Sequence, residues 1–278
     1  MKIKAYAKIN LTLDITGIRD DGFHSLRSVM VPVSLCDEIE INESDSFSFD
    51  CNIKELCSED NLCVRAAKLF FATSGINALA SLRLTKNIPF PAGLGGGSSD
   101  AAAVLRGLNS FFSSPLKETE LFRLAESLGS DVPLCLLSRP ALCEGRGEIL
   151  TPIESLPSFD IVIAIGDGRL PTPAVYREYD AEERKVRNDT DLLLERLNCD
   201  RYSLAEAFGN AFEEVTDKLA PETKRLREQM LALGALNSHL SGSGPSVYGV
   251  FENAEKAQNA AKSLEKMGYF AVCCKTLS

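Results

Sequence analysis

The sequence predicts an α+β protein built from two domains. Three observations carry this reading. The chain has 278 residues, enough for two compact cores. Its first half mixes strand and helix patterns around one glycine-rich loop. Its second half runs through strands and helices in the order of a split βαβ sandwich. Pro152 and Pro157 mark the boundary, giving domains over residues 1–152 and 153–278.

The elements follow in order. Residues 3–14 alternate, with Ile3, Ala5, Ala7, Ile9, Leu11 and Leu13 on one face and Lys4, Tyr6, Lys8, Asn10, Thr12 and Asp14 on the other. A period of two over this length predicts a half-buried strand. A turn-rich loop, GIRDDGFH, covers 17–24, and strand returns over 28–41 with a turn near Cys36 and Asp37. Apolar residues at helical spacing predict helices over 61–74, 99–110 and 118–128, the last stopped by Gly129. Ser81–Thr85 reads as a short strand. Asp131-Val132-Pro133 opens a short apolar helix with Asp131 as its cap, and 140–150 is loop and strand. FDIVIAIG (Phe159–Gly166) is a strand, and 167–190 reads as loop and short helix. Helices follow over 204–219 and 222–233, the second bounded by Pro221 and Gly234. Strands over 236–240 and 246–251 flank SGSGP, and a helix over 254–267 leads to a last strand over 269–276.

Composition removes whole classes of function. A net charge of −9 argues against general nucleic-acid or anionic-membrane binding, which needs a basic surface. It leaves room for a phosphorylated ligand, held by backbone N–H groups and one or two lysines. The nine cysteines are scattered at spacings that match no zinc pattern, and only His24 and His239 could join them. They read as reduced thiols of a cytoplasmic protein. The N-terminus lacks the apolar run of a signal peptide, and no apolar stretch is long enough to span a membrane.

The strongest chemical signal is AGLGGGSSD, Ala92–Asp100. Glycine lets a backbone approach a ligand closely, and the N–H groups of such a loop and of the following helix converge on one point. Ser98 or Ser99 can cap that helix or donate to a phosphate oxygen. The loop is not a Walker-type GxxxxGK[ST], and Ser98 stands where a dinucleotide fingerprint needs its third glycine. Lys8 and Asn10, two apart, share one strand face; a lysine there could neutralise a phosphate or an attacking hydroxyl, or merely be solvated. Asp131 could accept a hydroxyl proton, although spacing alone favours the cap. Ser241–Ser246 is either a tight hairpin or a second wall of a phosphate site.

These segments, in this order, resemble the GHMP kinase family: AKIN near the start, GLGGGSSDAA, GSDVP, and LSGSGPSV near the end. The resemblance covers nearly the whole chain. It implies a ribosomal-protein-S5-like N-terminal domain that binds ATP and a ferredoxin-like C-terminal domain that binds substrate. Further segments resemble one subgroup, whose acceptor is a cytidine diphosphate derivative of a branched polyol in non-mevalonate isoprenoid synthesis. They are AYAKINLTL, DGFH, KNIPFPAGLGGGSSDAA, SDVP, EGRGEILTPI and PTPAVY.

That resemblance implies roles for individual residues. Asp131 would be the general base and Lys8 would stabilise charge beside it. Pro91, Ala92, Gly93, Leu94, Gly95, Gly96, Gly97, Ser98 and Ser99 would wrap the ATP phosphates with Mg²⁺, whose ligands the sequence does not identify. Asn61, Leu62 and Lys86 would border the adenosine. His24 would hydrogen-bond a cytosine, Phe23 and Tyr176 would sandwich it, and Asn10 and Thr172 would touch the rest of the substrate. The loop at Gly242–Ser246 would close the site from the second domain. Phe23 stands where the family usually has tyrosine, Tyr176 where some members have phenylalanine, and residues 177–200 match nothing in the family pattern. Two rivals stay open: another GHMP kinase acting on mevalonate, homoserine or a sugar, and a non-catalytic nucleotide- or RNA-binding module. Monomer and homodimer are both compatible with the sequence.

Overall fold

The computed structural model describes residues 1–77, 79–166, 170–182 and 187–278. The expectation of loop and short helix over 167–190 therefore falls partly outside the described residues. Along the chain, β1 (Lys2–Asn10), β2 (Thr12–Ile18), β3 (His24–Glu43) and β4 (Ser48–Cys51) come first. A 3-10 turn (Lys54–Leu56), α1 (Leu62–Ser74), β5 (Ala80–Thr85), α2 (Gly96–Phe111), α3 (Glu118–Leu128) and α4 (Val132–Leu137) follow. Then come β6 (Ala141–Gly145), β7 (Ile149–Pro152), β8 (Asp160–Ile165), α5 (Thr172–Asp180), α6 (Asp189–Glu195) and α7 (Arg201–Ala205). The chain ends with β9 (Gly209–Asn210), α8 (Glu213–Leu219), α9 (Pro221–Ala232), β10 (Asn237–Leu240), β11 (Val247–Phe251), α10 (Ala254–Lys266) and β12 (Phe270–Lys275).

Two compact units share this chain. The first comprises Met1–Lys8, Leu35–Pro89 and Gly95–Ser138; the second comprises Ile9–Ser34, Phe90–Leu94 and Arg139–Ser278. In the first unit β4 runs parallel to β5, β5 pairs antiparallel with the C-terminal part of β3, and β1 pairs with β3 as well. One core joins Ala5, Ile39, Ile41, Leu82 and Leu84 of these strands to Phe70 of α1, Leu105 of α2, Leu121 of α3 and Val132 of α4. Burying each of these side chains larger than alanine contributes roughly 1.5–3 kcal/mol relative to leaving it in water.

The second unit holds a four-stranded sheet in the order β10-β11-β8-β12, antiparallel throughout. With α9 before β10 and α10 between β11 and β12, this is the ferredoxin-like arrangement, so the split βαβ expectation holds. The same unit pairs β2 and β6 with the N-terminal part of β3, β7 with β6, and β9 with β2.

Five local expectations need correction. Residues 3–14 form two strands, β1 and β2, interrupted at Leu11. Nor is the run half-buried beyond Ala7: on the expected polar face Lys4 is exposed and Tyr6 half-buried, but Lys8, Asn10, Thr12 and Asp14 are all buried. The expected turn at Cys36 and Asp37 is absent, and β3 continues through it. Asp37 suggested a turn, but its side chain points inward, where Oδ1 accepts the N–H groups of Asn87 and Ile88. Helix α2 begins at Gly96 rather than Ser99, with Gly95 as its cap. The helix expected over 204–219 is broken by Gly209 and Asn210, which pair with β2. The Asn210 amide donates to the carbonyls of Leu240 and Gly242, partners that an uninterrupted helix would not present.

Candidate active site

In the first unit the glycine loop delivers the chain into α2. Gly95 caps the helix in the left-handed region, with φ 66° and ψ 19°, and no side chain caps it. The capping expected of Ser98 or Ser99 is thus not made. The first-turn N–H groups of α2 stay available for an anion, at the positive end of the helix dipole. The Ser99 backbone N–H reaches the Gly95 carbonyl at 2.8 Å, and its buried hydroxyl donates to the Tyr6 carbonyl at 2.6 Å. That second bond ties the loop to the strand that carries Lys8.

Lys8 is buried, and its Nζ lies 3.5 Å from Asp131 Oδ2. Its aliphatic stem runs under the loop, so a Cβ on Gly95 would stand 2.9 Å from Lys8 Cγ. Asp131 precedes α4 but makes no side-chain cap hydrogen bond, which corrects the capping expectation. One third of its side chain is exposed (32%), so this carboxylate faces both Lys8 and solvent. Residues 8, 95 and 131 are brought together as a lysine, a glycine turn and a carboxylate.

Behind the loop lies a buried ion cluster. Lys86 Nζ donates to Asp37 Oδ2 and, at 2.8 Å, to Asp100 Oδ2. Burial, reinforced by the second carboxylate of Asp37, pushes the Asp100 carboxyl up to about 8 against the pull of Lys86. Burial opposes the Lys86 charge, but its two carboxylate neighbours raise its pKa all the same. Lys86 is thus enclosed, its Nζ 3.1 Å from where a Gly96 Cβ would be. Asn61 caps α1: its Oδ1 accepts from Cys63 N and its Nδ2 donates to the Leu56 carbonyl, each at 2.8 Å. Leu62 flanks the loop, 3.5 Å from the Cβ position of Gly97.

Two groups here gave no sequence signal of the contacts they make. Arg106 of α2 is half-buried, and desolvation lowers its pKa; it donates to the carbonyls of Cys135 and Leu136 in α4 and, at 3.5 Å, to that of Lys4 in β1. A basic residue ten positions into a helix reads as surface until its neighbours are known. Asp37 and Asp100 are the second case. Cys135, near Asp131, is buried with its thiol pushed up to about 12, so it is a packing group.

In the second unit, which includes Pro91 and Leu94, Ala92 and Gly93 meet the SGSGP loop. Ser246 N donates to the Ala92 carbonyl and Ser241 Oγ to the Gly93 carbonyl. Gly93 has φ 74°, and a Cβ there would be 2.5 Å from the Ser241 carbonyl oxygen, so any other residue would separate the two segments. Asn10 is buried; its Nδ2 donates to Ser28 Oγ at 2.8 Å and its Oδ1 accepts from Gly242 N at 2.9 Å. It tethers the SGSGP loop. Thr172 opens α5, its hydroxyl 2.8 Å from Ser243 Oγ.

His24 and Tyr176 are brought together, with ring centroids 4.7 Å apart. Tyr176 also packs edge-on against Phe212. Phe23 is exposed, and the Arg146 guanidinium sits 4.9 Å from its ring centroid. Asp180, in the stretch that matched nothing, bonds His24; only its spacing of four from Tyr176 on α5 could have signalled this.

Comparison with known proteins shows the family and the fold. The description "GHMP kinases N terminal domain" matches residues 61–139, and "GHMP kinases C terminal" matches residues 188–269. The chain belongs to the GHMP kinase family. Within it, the chain is 40% identical to the 4-diphosphocytidyl-2-C-methyl-D-erythritol kinase of Caldicellulosiruptor saccharolyticus, over 95% of this chain and 93% of that one. A crystal structure of 4-(cytidine 5'-diphospho)-2C-methyl-D-erythritol kinase superposes over the full length of both chains, with a TM-score of 0.87 and 34% identity. The mevalonate kinase of L. major shares the fold alone, with a TM-score of 0.77, 14% identity and coverage of 99% and 95%.

Proposed function

We propose that this chain transfers the γ-phosphoryl group of ATP to the 2-hydroxyl of 4-diphosphocytidyl-2-C-methyl-D-erythritol, a step of the non-mevalonate isoprenoid pathway. The observation that carries the reading is the pairing of buried Lys8 with Asp131 beside the glycine turn at Gly95. Full-length similarity to kinases of that name supports the choice of acceptor.

In this reading Asp131 takes the proton of the acceptor hydroxyl as the new P–O bond forms and the bond to the bridging oxygen of ADP breaks. Lys8 stabilises the alkoxide charge that develops, and phosphoryl transfer otherwise needs mostly positioning. Residues 91–99 hold the phosphates through backbone N–H groups, and Leu62 borders the adenosine. Asn61 and Lys86 support that region through the cap and the ion cluster. His24 reads the cytosine between Phe23 and Tyr176, while Asn10 and Thr172 set the SGSGP loop against the remainder of the substrate.

Mg²⁺ fits as an ion carried by the triphosphate, since it binds through one or two protein oxygens plus phosphates and water. Ser99 Oγ, its proton directed to Tyr6, would offer it a lone pair, and the ion would neutralise charge on the phosphates. We place the enzyme in the cytoplasm: among the described residues, which include all nine cysteines, there is no disulfide, and no helix is long and apolar enough to cross a membrane. The division at 152/153 into an ATP-binding and a substrate-binding domain is part of the same proposal. ADP release from ATP and Mg²⁺ with the cytidine compound, beside mevalonate, homoserine and galactose, tests the assignment. Activity on the cytidine compound alone is expected; activity on another acceptor would replace the substrate, and ATP binding without transfer to any would favour a non-catalytic module.

A further inference from the structure

His24 is one of only two histidines in the chain, and its imidazole is held on one side only. Nε2 lies 2.8 Å from Asp180 Oδ1 at the end of α5. Tyr176, one turn earlier on the same helix, covers the ring with centroids 4.7 Å apart, and Tyr179 meets it edge-on at 6.5 Å. Among the described residues Nδ1 has no hydrogen-bond partner. The imidazole side chain is 10% exposed, against 43% for Asp180, so the ring is fixed and its anchor is reached from solvent.

A carboxylate can only accept, so the proton between these two groups sits on Nε2. In the neutral ring the other nitrogen is then an acceptor. An acceptor at that position suits the exocyclic amine of cytosine and is mismatched to the carbonyl that uracil carries in the same place. We propose that Asp180 is the positioning residue for base recognition: by taking the Nε2 proton of His24 it fixes Nδ1 as an acceptor for the cytosine amino group. This inference rests on the cytidine reading above.

The chain supplies its own control. His239 uses the opposite nitrogen, with Nδ1 2.9 Å from Glu213 Oε1, so its neutral tautomer carries the proton on Nδ1. Two-bond ¹H–¹⁵N spectra of the ¹⁵N-histidine-labelled full-length protein, recorded about two pH units above the ordinary imidazole pKa near 6.5, separate the tautomers. The expected result is one Nε2–H and one Nδ1–H pattern, assigned with His239→Asn. Asp180→Ala should convert the His24 pattern into a mixture, and Asp180→Asn, whose carbonyl still accepts, should keep it.

In steady state Asp180→Ala should raise KM for the cytidine compound ~10-fold, the effect of one lost oriented hydrogen bond, with kcat and KM for ATP little changed. Its preference for the cytidine compound over the uridine analogue should shrink similarly, and Asp180→Asn should restore most of both. An Nδ1–H pattern for His24, or a KM and base preference unmoved in a folded Asp180→Ala, would overturn the proposal. A wild type that binds ATP but does not turn over the cytidine compound would instead remove the functional reading and its base-recognition clause, while the tautomer spectrum would still report on His24 and Asp180.

Discussion

A Cβ added to Gly95 would stand 2.9 Å from Cγ of Lys8 and 3.2 Å from its Cε. The glycine turn and Lys8 are therefore fitted to each other. Gly95→Ala introduces a residue at φ 66° and displaces the Lys8 stem, which the new Cβ would crowd. Strain of ~1–3 kcal/mol is expected from the backbone alone. Lower kcat and a higher KM for ATP should accompany a lower Tm; an unchanged kcat would separate the lysine from the turn.

The cluster of Asp37, Lys86 and Asp100 gives a stability prediction with a definite sign. Below about pH 4 Asp100 is protonated both folded and unfolded. As pH rises toward about 8 the unfolded chain has lost this proton while the folded chain keeps it, so the folded state binds more protons and stability falls. Asp100→Asn removes the titration and keeps an acceptor for Lys86. Its Tm relative to wild type should rise from pH 4 to 8 by at least ~2 °C, about 1 kcal/mol, then level off. A difference independent of pH would mean that Asp100 is ionised throughout.

Thiol reactivity should divide by burial. Cys57 and Cys199 are exposed, whereas burial raises Cys63 well above the usual thiol range and takes Cys135 to about 12. Mass spectrometry after brief alkylation of the native protein should find label on Cys57 and Cys199 and none on Cys63 or Cys135. Rapid labelling of Cys135 would mean that α4 opens beside Asp131.

Most helices and the ferredoxin-like order were legible because periodicity and end signals agreed, as with Pro221 and Gly234 around α9. The failures share a cause: polar or glycine residues whose partners are distant in sequence. Asp37 looked like a turn because its partners, Asn87 and Ile88, lie about fifty positions away. Gly209 and Asn210 looked helical because β2 and the SGSGP loop cannot be seen from their neighbours. The site residues stood out as motifs, but what holds them did not. Lys86 gave no sign of its two carboxylates, Arg106 none of its hold on α4, and Asp180 none of His24. Burial of Lys8, Asn10, Thr12 and Asp14 on the expected polar face is the physical mark that spacing alone could not supply.

Whether Asp131 with Lys8 moves the acceptor proton during phosphoryl transfer is decided by single-turnover transfer from ATP in Asp131→Asn, with ATP affinity measured on the same sample. The substitution is isosteric and removes the charge that pairs with Lys8. ATP affinity close to wild type and transfer slowed at least ~10²-fold, the usual reach of a general base, are expected. Transfer within a few-fold of wild type, with ATP bound normally, would contradict that role.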